Sequence, residues 1–163
     1  MNKLMPMTNK FFLPAFVLFS LIYAGCNDDT IFQKKIEIRK EGWSYDDRLI
    51  FDFTIEDTLK KYNLLLDVEH NGDYGFQNLY VRFHTTYPSG ETKTQTVSLE
   101  LADKRGLWNG KCRGNTCTVE IPLQVNATFK EKGTYRIAIE QYMRKNPLPG
   151  IKGMVLKITP VKS

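Results

Sequence analysis

Leu49-Ile50-Phe51-Asp52-Phe53-Thr54-Ile55 puts an apolar residue at every second position, with Ile50, Asp52 and Thr54 between them. Side chains in a strand alternate between two faces, so the run predicts a β-strand with one buried face and one facing water. The rhythm recurs along the chain. Tyr62, Leu64, Leu66 and Val68 alternate with Asn63, Leu65, Asp67 and Glu69, and Leu79, Val81 and Phe83 with Tyr80, Arg82 and His84. Gln95, Val97, Leu99 and Leu101 alternate with Thr96, Ser98 and Glu100, while Cys117, Val119, Ile121 and Leu123 face away from Thr118 and Glu120. Tyr135, Ile137 and Ile139 oppose Arg136 and Glu140, and Met154, Leu156 and Ile158 alternate with Val155, Lys157 and Thr159. An earlier strand is expected from Phe32 to Arg39, through Ile36 and Ile38. Turn signals separate the runs at His70-Asn71-Gly72-Asp73, Pro88-Ser89-Gly90, Arg113-Gly114-Asn115 and Lys132-Gly133. No segment sustains a helical period. About eight short strands with polar turns predict an all-β chain, a single antiparallel β-sandwich over residues 32–160.

Ahead of that domain, Lys3 and Lys10 precede an apolar run from Phe11 to Ala24. This order of parts predicts a secretory signal peptide over residues 1–25, too short for a membrane span of about 20 apolar residues. Leu21-Ile22-Tyr23-Ala24-Gly25-Cys26 resembles the lipobox of bacterial lipoproteins, with Tyr23 where Leu is usual. The resemblance implies that the Cys26 sulfur carries diacylglycerol and that Cys26 begins the mature chain. Residues 26–31 are then a lipidated cysteine and short tether, and the lipid is the link to the membrane. Two or three acyl chains hold stably because each buried CH₂ contributes about 0.8 kcal/mol. The other reading is an ordinary cleaved signal peptide, with Cys26 free or bridged.

Taking residues 1–25 from the 163 leaves 138, the size of one domain with a core of its own. The full chain carries +5; the leader contains Lys3, Lys10 and no acid, so the rest carries +3. The densest basic cluster, Lys34, Lys35, Arg39 and Lys40, reads as a solvated strand face, and no nucleic-acid partner is expected. In an oxidising compartment Cys112 and Cys117 are expected to form a disulfide tying the ends of a hairpin through Arg113-Gly114-Asn115-Thr116. Their spacing is wrong for a redox motif, and no second Cys/His pair completes a zinc site.

No catalytic constellation is evident. His70 beside a turn and His84 on a polar strand face are read as surface residues. Asp46-Asp47, Asp52, Glu56-Asp57, Asp67, Glu69 and Asp103 are read as solvated acids, and Asp46-Asp47 lacks the rest of a calcium loop. The expectation is no enzyme, no metal and no cofactor. Trp43, Tyr45, Tyr74, Phe76 and Trp108 lie at or near loops. They close the ends of the sandwich, or form a contact patch for a protein partner or a sugar-stacking platform.

Tyr74-Gly75-Phe76-Gln77-Asn78-Leu79-Tyr80, Tyr87-Pro88-Ser89-Gly90, Leu101-Ala102-Asp103, Gly106-Leu107-Trp108-Asn109-Gly110, Gly133-Thr134-Tyr135, Ile139-Glu140-Gln141-Tyr142-Met143-Arg144, Leu148-Pro149-Gly150-Ile151 and Val155-Leu156-Lys157-Ile158 follow one another in the chain. With the lipobox, this series resembles the gliding-motility lipoprotein GldH family of Bacteroidota over roughly residues 26–159. Gly75 departs from the Pro of that pattern, Gly153-Met154 from a Val-Gly pair, and Cys112/Cys117 are no part of it. The resemblance implies a non-enzymatic, outer-membrane component of the gliding machinery, linked to type IX secretion of adhesins and partnered by other envelope proteins. The alternative is a surface carbohydrate-binding lipoprotein using Trp43, Tyr45, Tyr74 and Trp108. Asn27-Asp28-Asp29 resembles an acidic surface-export signal, and it also reads as a plain polar tether. Within the motifs, Gln141 falls on the inward face with Ile137 and Ile139, and Gln141 and Arg144 are expected to clamp the loop containing Gly150.

Overall fold

The computed structural model describes residues 30–162, so the expected signal peptide and Cys26 lie outside the described residues. Those residues contain nine strands and no helix, in two antiparallel sheets. One sheet runs β1 (Phe32–Glu37), β9 (Ile151–Pro160), β3 (Lys61–Asn71), β7 (Thr116–Thr128) and β6 (Lys111–Arg113). The other runs β2 (Leu49–Ile55), β8 (Gly133–Gln141), β4 (Asn78–Thr86) and β5 (Thr92–Glu100). The expected β-sandwich is the fold. The strand beyond the expected eight is β6, whose three residues are too few to show a period.

Alternation builds the core. Leu49, Phe51, Phe53 and Ile55 of β2 are buried, and the register sets Phe51 opposite Ile137 and Phe53 opposite Tyr135. Across the sandwich, Tyr62, Leu64, Leu66 and Val68 of β3 and Met154, Leu156 and Ile158 of β9 face them as part of one hydrophobic cluster. Each such side chain contributes roughly 1.5–3 kcal/mol when fully buried. On the outer face of the larger sheet, Lys157 Nζ lies 2.7 Å from Asp67 Oδ2. Alternation weakens at one edge. Gln95 is exposed, and Ile121 and Leu123 are only partly covered, because a cleft of about 300 Å³ opens between β5 and β7.

Strand pairing gives the sandwich two poles. The start of β1, the ends of β9 and β7 and the start of β3 meet at one pole through Phe32↔Ile158, Tyr62↔Pro160 and Lys61↔Thr128. The end of β2 and the start of β8 join them there, because only residues 56–60 separate β2 from β3. This is the entry pole, where the chain comes in from its N-terminus. Its aromatic cluster is tight: Phe129 and Tyr135 have ring centroids 4.9 Å apart, and Phe53 stacks on Tyr135 at 5.6 Å. The far pole gathers residues 38–48, 72–77, 101–110 and 142–150. With about 3.3 Å of rise per residue, the nine residues of β4 separate the poles by roughly 30 Å.

Candidate functional site: an aromatic groove at the far pole

The far pole is closed by residues whose backbones have few options. Trp43 has no exposed surface. Its N–H donates to the Leu148 carbonyl at 2.8 Å, and its carbonyl accepts from the Leu148 N–H at 2.9 Å. Its indole Nε1 donates to the Asp47 carbonyl at 2.6 Å. Tyr74 is buried, and Gly150, at φ 88°, sits so close that a Cβ there would meet the Tyr74 ring at 3.0 Å. Trp108 is half-buried and donates from Nε1 to the Gly72 carbonyl at 3.1 Å.

His70 lies beneath this closure, its ring centroid 4.4 Å from that of Trp108 and 5.8 Å from that of Tyr74. The sequence predicted a surface histidine, and that expectation is corrected: the position continues the inward face of β3 through Val68 and has no exposed surface. Nδ1 is 2.7 Å from the Asn71 carbonyl. A carbonyl only accepts, so Nδ1 carries the proton and the buried Nε2 lone pair has no partner. Burial pushes the pKa of His70 below its ordinary value; the Asn71 hydrogen bond opposes this and the nearby Lys152 adds to it. Burial likewise raises the Tyr74 phenol well above its usual range.

Gln141 is buried, on the face its alternation predicted. Its Oε1 accepts from the Met143 N–H at 2.8 Å. Its Nε2 donates to the Lys145 carbonyl at 3.1 Å and to the Trp43 carbonyl at 3.4 Å. The amide therefore ties the Met143–Lys145 turn to the Trp43 segment, and meets the Leu148 loop only through the shared Trp43 carbonyl. Arg144 does not join in. It is exposed, with no hydrogen bond or ion pair among the described residues, because the turn built around Gln141 carries it outward.

That turn shapes the site. Tyr142 N–H donates to the Tyr80 carbonyl at 2.8 Å, and Tyr80 N–H reaches Met143 Sδ at 3.3 Å. Tyr45 is drawn in from the β1–β2 loop: its hydroxyl donates to the Met143 carbonyl at 2.6 Å, and its N–H to Asn146 Oδ1 at 3.0 Å. Together with Phe76, these residues line an open groove of about 890 Å³, with Asn78, Thr96, Met143, Arg144 and Lys145 completing it. The four rings, Tyr45, Phe76, Tyr80 and Tyr142, are 40–47% exposed. Beside the groove Arg82 lies over the Tyr142 ring, 3.7 Å from its centroid. Glu140 anchors that flank, with Oε2 2.9 Å from Arg48 Nε and 3.3 Å from His84 Nε2, and Oε1 3.6 Å from Arg82 Nη1.

The four loop aromatics proposed for contact therefore divide. Trp43 and Tyr74 are core closure and present almost no surface to a partner, because both are buried in the hydrophobic cluster. Tyr45 lines the groove, and Trp108 packs on His70. Alternation placed Tyr80 on an outward face, and Tyr142 ends an outward-facing series. Neither was singled out, because a lone outward Tyr carries no signal until the fold sets it beside others. Cys112 and Cys117 form the expected disulfide, facing each other in the β6–β7 register with Cα atoms 4.0 Å apart. Among the described residues no three His, Cys, Asp or Glu side chains are grouped to hold a metal ion.

Of the segments on which the sequence resemblance rests, Tyr74–Tyr80, Leu101–Asp103, Gly106–Gly110, Glu140–Arg144 and Leu148–Ile151 lie at this pole, whereas Tyr87–Gly90 and Gly133–Tyr135 lie at the entry pole and Val155–Ile158 runs along β9 toward it. Comparison with known proteins agrees with that resemblance. The family profile described as GldH lipoprotein matches residues 30–158. The gliding motility lipoprotein GldH of Flavobacterium johnsoniae is 31% identical over 139 residues, 85% of this chain and 86% of that one. A gliding motility lipoprotein GldH homolog from Christiangramia forsetii is 25% identical over 140 residues, 86% and 85% of the two chains. Among solved structures, a carbohydrate-binding module specific for non-crystalline cellulose, CBM28, is similar at a TM-score of 0.43 and 9% identity, over 80% of this chain and 75% of that one, too distant to bear on function. A family profile matching residues 30–158 and two relatives matched along most of their length make this chain a member of the GldH lipoprotein family.

Proposed function

We propose that the protein is a non-enzymatic lipoprotein of the outer membrane, held by diacylglycerol on Cys26, that serves the gliding machinery and its type IX secretion of adhesins by docking an envelope partner. The observation that carries this reading is the placement of the motif segments. Five of the eight gather at the pole opposite the one where the chain enters β1, around exposed rings and without an acid–base pair or nucleophile, while the other three lie at the entry pole or along β9. A domain anchored at one end and decorated at the other is arranged for contact. The naming of its relatives as gliding motility lipoproteins supplies the process. From Cys26 to Phe32 the tether reaches at most about 20 Å, which keeps the entry pole near the bilayer. The sugar-binding reading loses Trp43 and Tyr74, two of the four aromatics it used, to the core.

The test is deletion of the gene in a gliding host. Loss of gliding and of adhesin delivery to the surface is expected; retention of both would contradict the reading. The anchor is tested by metabolic labelling with a palmitate analogue, which should mark the protein and fail to mark Cys26→Ser.

A further inference from the structure

We infer that the far-pole groove binds an acidic, extended polypeptide segment that lays apolar side chains on its rings and acidic ones on Arg144 and Lys145. This rests on the reading of the protein as a docking component and names the chemistry of what docks.

Charge argues first. The only charged residues lining the groove are Arg144 and Lys145, both cations. Neither has an ion pair or side-chain hydrogen bond among the described residues. At the flank Arg48 and Arg82 share the single carboxylate of Glu140, so positive charge outweighs negative there too. Two unmatched cations at the edge of an aromatic surface attract an acidic partner and set its register.

The lining argues next for a peptide over an acidic polysaccharide. Reading sugar hydroxyls takes free amides, hydroxyls and carboxylates. Here no carboxylate lines the groove, its one side-chain amide, Asn78, donates to Ser98 Oγ at 2.8 Å, and the Tyr45 hydroxyl is committed to the Met143 carbonyl, which leaves the hydroxyls of Tyr80, Tyr142 and Thr96 as its free neutral polar groups. The groove offers instead tyrosine and phenylalanine rings, a thioether and an arginine, the side chains enriched at protein-binding hot spots. Its outer rim is also suited to an extended chain. Thr96 lines the groove from β5, and β5 is the edge strand of its sheet, paired on one side only with β4.

The test uses the full-length lipoprotein in detergent. The probes are a fluorescent peptide of about ten residues alternating Glu with Phe and Thr, the same peptide with Lys for Glu, and polygalacturonate. We expect the acidic peptide to bind, more weakly as salt rises, and the basic peptide to bind at least ~10-fold more weakly. Arg144→Glu/Lys145→Glu should weaken the acidic peptide by ~10-fold or more without moving the unfolding temperature, since both side chains are exposed. Tyr142→Ala should weaken it independently at unchanged salt dependence. Failure of the acidic peptide to bind, binding indifferent to the charge reversal, or binding of polygalacturonate in preference to the peptide would each overturn the inference. The deletion phenotype is independent of this measurement. A groove that binds nothing leaves the motility role standing, and a deletion that spares gliding leaves the groove chemistry standing.

Discussion

Gln141 spends both ends of its amide on backbone groups of two segments far apart in sequence, Trp43 and the Met143–Lys145 turn. Replacing it with Leu leaves one N–H and two carbonyls without that partner, the Trp43 carbonyl in a buried place and the other two groups part-buried. Gln141→Leu should therefore lower unfolding free energy by about 1–3 kcal/mol, measured by chemical denaturation; unchanged stability would contradict the role. His70 makes a different prediction. Its folded pKa lies below the unfolded value of about 6.5, so below that pH the unfolded chain takes up a proton that the folded chain refuses. The stability linked to His70 is complete above pH 6.5 and is lost as pH falls from there, by at most about 1.4 kcal/mol per pH unit. His70→Gln should make the denaturation midpoint less sensitive between pH 7.5 and 5.5; an unaltered pH dependence would place the proton elsewhere. Legibility differed between these two residues. Gln141 followed Ile137 and Ile139 in an unbroken alternation, so its burial was readable. His70 stood at a strand end beside Asn71-Gly72, where turn chemistry masked the fact that β3 continues inward for one more step.

At the scale of elements, the Gly106–Gly110 segment shows how a motif becomes geometry. Gly106 adopts φ 82°, Trp108 is held by the Gly72 carbonyl and the His70 ring, and Gly110 brings β6 against β7 so closely that a Cβ would collide with the Thr118 carbonyl. Gly110→Ala should displace β6 and cost about 1–3 kcal/mol by overpacking, read as a lower thermal midpoint; an unchanged midpoint would show that the hairpin adjusts freely. The Cys112–Cys117 bridge spans only five residues, so the chain-entropy account gives it roughly 2 kcal/mol. Replacing both cysteines with serine should lower the midpoint by less than about 10 °C and leave the sandwich folded; global unfolding would mean that the bridge does more than staple one hairpin. Strands β2, β3, β4, β8 and β9 were readable because each keeps one face in the core over several residues. β6 was not, since three exposed residues are held by pairing with β7 and the disulfide rather than by burial. The weak inward face of Gln95 also had no sequence signal. It arises from the open cleft at the β5–β7 edge, a property of how the sheets meet.

At the scale of the whole molecule, the sandwich has two unlike poles. Sequence order hid the groove, because Tyr45, Phe76, Tyr80 and Tyr142 come from three separate parts of the chain and meet only when β8 and β4 pair and the β1–β2 loop folds over the turn. The five motif segments at the far pole were legible as strings, and their shared address was not. The central claim is that an anchored domain works through this pole. Its most direct test is complementation of a deletion strain in a gliding host, with gliding speed on glass measured for the wild-type chain and for Tyr142→Ala/Arg144→Glu at matched protein levels. Both changes are at exposed side chains, so the variant should fold and reach the envelope. The account predicts that the wild type restores gliding and the groove variant does not; full restoration by the groove variant would contradict it.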